Sequence, residues 1–139
     1  MDIKQRKLVT TLLTTSSHKI DVSNSASTGY LVKILYLAPS WLSGHNTCGF
    51  ASLGCILGCL NLAGRGPMNN VQQARIRRTQ WLYSDRQAFM VKLSHEIRNH
   101  AKLAARQGLK AAIRLNGTSD ICWEHIRIHG QTIFDLHPD

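Results

Sequence analysis

Runs of hydrophobic residues alternate with polar breaks along the chain and predict strands and helices in turn. Residues 8–15 are rich in β-branched side chains and predict a strand, while residues 23–29 are polar and predict a loop. Residues 30–38 are almost continuously apolar, which is typical of a strand buried on both faces. Further strands are predicted for residues 110–115 and 132–136.

Two long helices are predicted between the strands at residues 30–38 and 110–115. Asn69 and Asn70 suit the start of the first, which runs to about residue 82. Ser84, with Gln87 three residues later, predicts the cap of the second, and Gly108 predicts its end. An apolar stripe marks the buried face of this second helix: Phe89, Leu93, Ile97, Ala101 and Ala104. A short helix is also predicted for residues 120–126.

Strands that alternate with helices predict an α/β fold, either a partial barrel or a small open, mostly parallel sheet with covering helices. We expect a single α/β domain over residues 1–139, with residues 1–29 as an N-terminal strand and loop and residues 30–139 as the core. An exposed edge at the last predicted strand favours self-association. The apolar run at residues 50–63 is shorter than a bilayer span of about 20 residues, so we expect a cytoplasmic protein with no membrane partner.

The net charge of +9 is concentrated in the predicted helices, where residues 65–114 contain eleven Lys or Arg and two acids. Such a field attracts nucleic acid or an acidic partner protein. Arg75 and Arg78 share a helix face and are candidates to bind a phosphate or carboxylate. The alternative is a solvated surface. No aromatic ladder accompanies these cations, so the pattern is not that of a single-strand platform.

Three cysteines within twelve residues form the most distinctive pattern: Cys48, Cys55 and Cys59. In a helix, Cys55 and Cys59 would share a face, and Cys48 would approach from the preceding loop. This set predicts a metal site holding zinc or an iron–sulfur cluster. Candidate fourth ligands for zinc are His45, Cys122 and His125. Two alternatives stay open, namely buried core cysteines and redox-active or nucleophilic thiols.

Polar side chains follow the predicted strand at residues 110–115. Asn116, Ser119 and Asp120 come directly after it, and Glu124 lies one short step further on. Ligands of open α/β sheets bind at the carboxyl ends of strands, so these four residues are candidate ligand-binding residues close to the cysteines. The alternative is a tight turn at Asn116 and Gly117 followed by a helix cap at Ser119 or Asp120. Both can hold together.

Three motifs together resemble the gene 88 product family of phage and plasmid proteins: Cys48-x6-Cys55-x3-Cys59, Ala74-Arg75-x-x-Arg78-Thr79, and Arg114-Leu-Asn-Gly-Thr-Ser-Asp120 followed by Trp123-Glu124. The resemblance covers about residues 47–124 and, more weakly, residues 16–33. It implies an origin in a mobile element and assigns no activity. It also implies a shortened C-terminus, because family members extend further, and Cys122 departs from the family pattern.

The cysteine cluster on an α/β scaffold is also similar to radical S-adenosylmethionine enzymes, in which three thiolates hold a four-iron cluster and the open iron binds that cofactor. Their familiar spacing is Cys-x3-Cys-x2-Cys, which this chain lacks. We therefore expect a metal- or iron–sulfur-binding protein, with a degenerate enzyme of this kind as one version. The competing expectations are a small basic phage protein that binds nucleic acid or inhibits a host defence complex, and a fragment of a larger enzyme. The sequence assigns no catalytic residues.

Overall fold

The structure is a computed structural model that describes residue 9, residues 11–15, residue 20 and residues 28–138. One open sheet contains β1 (Leu13–Thr14), β2 (Tyr30–Leu35) and β3 (Lys110–Arg114) in that order. β1 runs antiparallel to β2, while β3 runs parallel to it, with Tyr30 opposite Lys110 and Ile34 opposite Arg114. The α/β prediction is therefore confirmed, and the sheet is the small open one of the two alternatives.

The helices with both ends in the described part of the chain are α1 (Ser40–Ser43), α2 (Leu53–Leu57), α3 (Asn69–Ser84), α4 (Arg86–Arg106) and α5 (Ile133–Leu136), with 3₁₀-helices at Leu60–Leu62 and Trp123–His125. α1 to α4 all lie in the connection between β2 and β3. Parallel neighbours need such a crossover, because a tight hairpin turn can join only antiparallel strands. Within it, α3 packs against α4, and α4 packs against β3.

Residues of β2 and its extension alternate between two apolar clusters. Leu35 and Leu37 are fully buried and belong to the larger cluster, which includes residues of α3 and α4. Ile34 and Tyr36 belong to a smaller cluster with Ile20. Successive side chains of a strand point to opposite faces, so the carboxyl end of β2 is covered on both sides, as its apolar composition predicts. The other buried members of the larger cluster are Leu12, Leu13, Trp81, Leu82, Phe89, Met90, Leu93, Trp123 and Ile133.

The start of α4 lies one residue later than predicted. The side chain of Asp85 accepts a hydrogen bond from the Ala88 backbone N–H at 3.1 Å and is the cap. The predicted cap, Ser84, is the last residue of α3, where its hydroxyl donates to the Trp81 carbonyl. The end of α4 agrees with the prediction, because Gly108 follows it with a φ of 67°, in the left-handed region that favours glycine.

Residues 132–136 are a helical turn, not the predicted strand. The Thr132 hydroxyl accepts from the Asp135 N–H at 3.1 Å, and the Asp135 carboxylate accepts from the Thr132 N–H at 2.7 Å. This reciprocal cap stabilises the first turn of a helix. The outer strands of the described sheet are therefore β1 and β3. Of the strand predicted at residues 8–15, only Leu13–Thr14 is observed, and residues 8, 10 and 23–27 lie outside the described residues.

Candidate functional site

The loop after β3 is organised by Asn116. Its amide oxygen accepts hydrogen bonds from the Trp123 indole at 2.9 Å, the Ser119 hydroxyl at 3.0 Å and the Ile121 N–H at 3.3 Å. Its amide nitrogen donates to the Ile121 carbonyl at 3.0 Å. Asn116 and Ser119 thus form a hydrogen bond with each other, and Asn116 also bonds to Ile121 and Trp123. A ligand role for these two residues stays a prediction.

The same loop continues along the carboxyl end of β2. The Gly117 N–H donates to the Leu35 carbonyl at 3.0 Å, and the Thr118 hydroxyl donates to the Leu37 carbonyl at 2.7 Å. A Cβ at Gly117 would lie 2.6 Å from the Ile34 side chain and 2.8 Å from the Leu35 carbonyl oxygen. Only glycine therefore allows the loop to approach β2 this closely. Sequence reasoning read Gly117 as a turn residue and missed this contact.

Cys48 lies beside this loop, as the sequence predicts. The Asp120 N–H donates to the Thr47 carbonyl at 2.8 Å, which pairs Cys48 and Asp120 as an isolated parallel bridge. The Cys48 thiol lies 3.8 Å from the Thr118 carbonyl oxygen, in the range of a weak sulfur hydrogen bond. The Asp120 side chain is exposed. The carboxyl end of the sheet thus brings together one predicted metal ligand and one predicted ligand-binding residue.

Cys55 and Cys59 lie in different environments from Cys48. The Ser52 hydroxyl donates to the Cys55 sulfur at 3.2 Å, and this bond lowers the pKa of the exposed Cys55 thiol from its ordinary value. Cys59 lies beyond α2, which ends at Leu57, and its sulfur accepts from the Asn61 N–H at 3.5 Å. The predicted common helix face is therefore wrong.

The three predicted metal ligands are not preassembled around a single metal ion. Within the part of the chain that the structure describes, the three sulfur atoms do not all lie within 4.8 Å of one another. Zinc or an iron–sulfur cluster at Cys48, Cys55 and Cys59, and S-adenosylmethionine with it, stay predictions. To bind one zinc ion with all three thiols, residues 48–59 would have to rearrange.

Arg75 and Arg78 both donate hydrogen bonds to backbone carbonyls. Arg75 is buried, and one terminal nitrogen donates to the Asn61 carbonyl at 2.8 Å and to the Asn61 side chain at 2.7 Å. Its guanidinium lies over the Tyr36 ring, 5.0 Å from the centroid, and burial lowers its pKa. Arg78 donates to the Thr11 carbonyl at 3.1 Å. The pair anchors two chain segments, and its predicted contact with polyanions stays a prediction.

A row of exposed cations lies on α4 instead. Arg98, Lys102 and Arg106 are exposed, lie four residues apart, and make no hydrogen bond or ion pair with any described residue. The two acids of residues 65–114 are both engaged. Asp85 caps α4, while Glu96 accepts from the Leu12 and Leu13 N–H groups and pairs with Lys92 at 3.3 Å. The signal for this row was present in the sequence as a spacing of four, but the sequence could not show which cations were free.

A second group with metal-ligand chemistry lies just after the Asn116 loop. The sulfur of Cys122, a carboxylate oxygen of Glu124 and a ring nitrogen of His125 all lie within 4.8 Å of one another. Cys122 is half-buried, and the other two side chains are exposed. The sequence predicts Glu124 as a ligand-binding residue and Cys122 and His125 as alternative fourth zinc ligands, but its spacing does not show that the three side chains meet.

The segment that contains the three cysteines, residues 48–62 (the cysteine segment), exposes large apolar side chains. Phe50 is 83% exposed, Leu57 is 80% exposed and Leu53 is 71% exposed. No residue of α2 is buried. The core-cysteine alternative therefore does not describe Cys55 in this conformation.

Comparisons with known proteins identify a family. A family model described as Gene product 88 matches residues 5–139. No match was found among curated proteins or among solved structures. Among the described residues, no helix has the length and apolar character needed to cross a membrane.

Proposed function

The chain belongs to the Gene product 88 family, and from its surface we propose that it binds nucleic acid through phosphate contacts along one face of α4. The single observation that carries this proposal is the row formed by Arg98, Lys102 and Arg106, which has no acidic partner among the described residues. As part of the proposal, the protein serves a phage or plasmid in the cytoplasm of a bacterial host.

The spacing of the row supports contact with a regular array of phosphates. A helix rises 1.5 Å per residue, so cations four residues apart recur about every 6 Å along α4. Each step of four residues turns the side chain by about 40°, so the row drifts only about 80° around the helix. Arg98, Lys102 and Arg106 can therefore approach one backbone together.

The lack of exposed Phe, Tyr and Trp side chains on this helix favours contact with phosphates over contact with bases. Phe89 is the one Phe, Tyr or Trp residue of α4, and it is fully buried. Single-strand binders stack successive bases on several exposed aromatic side chains, and α4 exposes no Phe, Tyr or Trp for this purpose. Phosphate contacts fix position and carry no sequence information by themselves. We therefore propose binding with little sequence preference, and duplex DNA as the first ligand to test.

The test is fluorescence anisotropy with a labelled DNA duplex, titrated between about 50 and about 200 mM salt. The triple variant Arg98→Gln, Lys102→Gln, Arg106→Gln should weaken binding at least about tenfold and should reduce the slope of log K against log salt by about three. A matched control, Arg65→Gln, Arg86→Gln, Lys110→Gln, removes three exposed cations outside the row with the same loss of net charge. Arg86 begins α4 but lies about 120° around the helix from Arg98, off the proposed face.

The control separates a specific face from a general charge effect. If the control variant loses as much affinity as the α4 variant, net charge alone drives binding and the proposed face is wrong. Absence of any binding to duplex or single-stranded nucleic acid at about 50 mM salt would overturn the proposal and leave an acidic protein as the partner to seek.

A further inference from the structure

We propose that Cys122, Glu124 and His125 bind one zinc ion. One sulfur, one carboxylate oxygen and one imidazole nitrogen lie within 4.8 Å of one another, and this is the one such group of three or more in the described part of the chain. The site is separate from the cation row of α4 and does not depend on nucleic-acid binding.

The local fold holds two of these ligands on one side of the chain. The His125 N–H donates to the Cys122 carbonyl at 3.0 Å, and the Ile126 N–H donates to the Trp123 carbonyl at 3.1 Å. Cys122 is the cap residue before this 3₁₀-helix, and the hydrogen bond from the His125 N–H to its carbonyl closes the turn that keeps Cys122 and His125 close together.

The segment at residues 122–125 is also anchored in the core through Trp123. Trp123 is 2% exposed, and its indole nitrogen donates to Asn116 at 2.9 Å. The tryptophan thus fixes the short helix in the core, while Glu124 and His125 stay at the surface. A site on a segment held this way needs little ordering when the metal binds.

The donor atoms suit zinc and are unengaged. Neither the Cys122 thiol, the Glu124 carboxylate nor the His125 ring forms a hydrogen bond or ion pair with a described residue. Thiolate and imidazole favour zinc, whereas calcium and magnesium prefer sites built from oxygen. Three protein ligands leave the fourth position of a tetrahedral site to water. Binding releases the thiol proton of Cys122, since the thiolate is the ligand.

The experiment is zinc titration of the reduced, metal-free full chain by calorimetry, with bound metal counted by mass spectrometry. We expect one zinc ion per chain, with the proton release measured in two buffers of different ionisation enthalpy. Cys122→Ser and His125→Ala should each weaken binding at least about tenfold, because each removes a direct ligand. Cys55→Ser is the matched control, since it removes an exposed thiol elsewhere, and it should leave zinc binding unchanged.

Three results would overturn this proposal. They are a chain that takes up no zinc, a chain whose zinc survives both Cys122→Ser and His125→Ala, and a chain that loses zinc in Cys55→Ser but keeps it in Cys122→Ser. The last result would place the metal at the cysteine cluster at residues 48–59. Glu124 and His125 are exposed, so circular dichroism of Glu124→Gln and His125→Ala should match the wild-type spectrum and exclude unfolding as the cause.

Discussion

The loop at residues 116–120 and the cysteine segment at residues 48–62 reverse the usual relation between polarity and burial. The loop is built from polar residues, yet Asn116 uses both amide atoms inside the protein and Gly117 is buried. The cysteine segment is largely apolar, yet Phe50 and Leu57 are more than three-quarters exposed. Backbone pairing explains the difference. The loop bonds to the end of β2, whereas α2 has no buried face.

The largest expected effect comes from Asn116→Ala, which tests whether the polar loop is part of the core. The change leaves the Trp123 indole and the Ile121 backbone without partners, so we expect a loss of about 3 kcal/mol in the free energy of unfolding. Urea denaturation measures it. Asn116→Asp retains the acceptor and should lose less, while Asn99→Ala, at an exposed site, is the control. A loss no greater than that of Asn99→Ala would contradict the architectural role.

Gly117→Ala compares the two regions directly. A Cβ there would lie 2.6 Å from Ile34 and 2.8 Å from a backbone oxygen, so we expect about 2 kcal/mol of destabilisation in a urea melt. The matched control is Gly49→Ala in the cysteine segment, where a Cβ meets nothing within 4 Å. Equal effects of the two substitutions would show that the loop does not press on β2 in solution.

A third test uses the buried imidazole of His100, of which one ring nitrogen forms a hydrogen bond. His100 is 1% exposed; its Nε2 donates to the Leu31 carbonyl at 2.8 Å, and its Nδ1 has no hydrogen-bond partner among the described residues. Burial lowers the pKa of His100, so the folded protein binds protons less readily than the unfolded chain, whose histidines titrate near pH 6.5. The contribution of His100 to the free energy of unfolding is therefore complete above about pH 6.5 and decreases as the pH falls below that value.

Urea melts at about pH 7.5 and about pH 5.5 measure this dependence. Burial also lowers the pKa of His137, which adds a loss of the same sign. His100→Gln should reduce the difference between the two pH values without abolishing it. Stability that rises on acidification across this window would be opposite to the expected sign.

The smallest expected effect is in the exposed apolar segment. Leu57→Ala should change the free energy of unfolding by less than about 0.5 kcal/mol, because its side chain is 80% exposed. Leu93→Ala, at a fully buried site of α4, should cost about 3 kcal/mol and is the control. If Leu57→Ala costs as much as Leu93→Ala, the segment is buried in solution.

Much of the fold could be predicted because its signals are local. Apolar runs at residues 30–38 and 110–115 marked β2 and β3, and Gly108 marked the end of α4 through its need for a positive φ. The run at residues 132–136 was too short to separate a strand from a helical turn by composition. The reciprocal cap between Thr132 and Asp135, which decides the outcome, was present in the sequence but was not recognised.

The candidate sites were less predictable because they depend on tertiary partners. Arg75 and Arg98 look alike in sequence, but Asn61 engages one, while no described residue pairs with the other. Likewise, the spacing of Cys55 and Cys59 suggested one helix face, and the end of α2 at Leu57 separates them. The cysteine spacing alone could not predict where α2 ends, and that end decides whether Cys55 and Cys59 share a helix face.

The parallel pairing of β2 with β3 also sets an order of assembly. Tyr30 lies opposite Lys110, so the pair closes a loop of 80 positions, which costs about 4 kcal/mol of chain entropy before any contact rewards it. Contacts so distant in sequence slow folding. During synthesis, β2 leaves the ribosome well before β3. The edge of β2 that pairs with β3 therefore stays unpaired while the helices between them are made. The time at which β3, in the last quarter of the chain, is synthesised thus determines how long the nascent protein stays prone to aggregation.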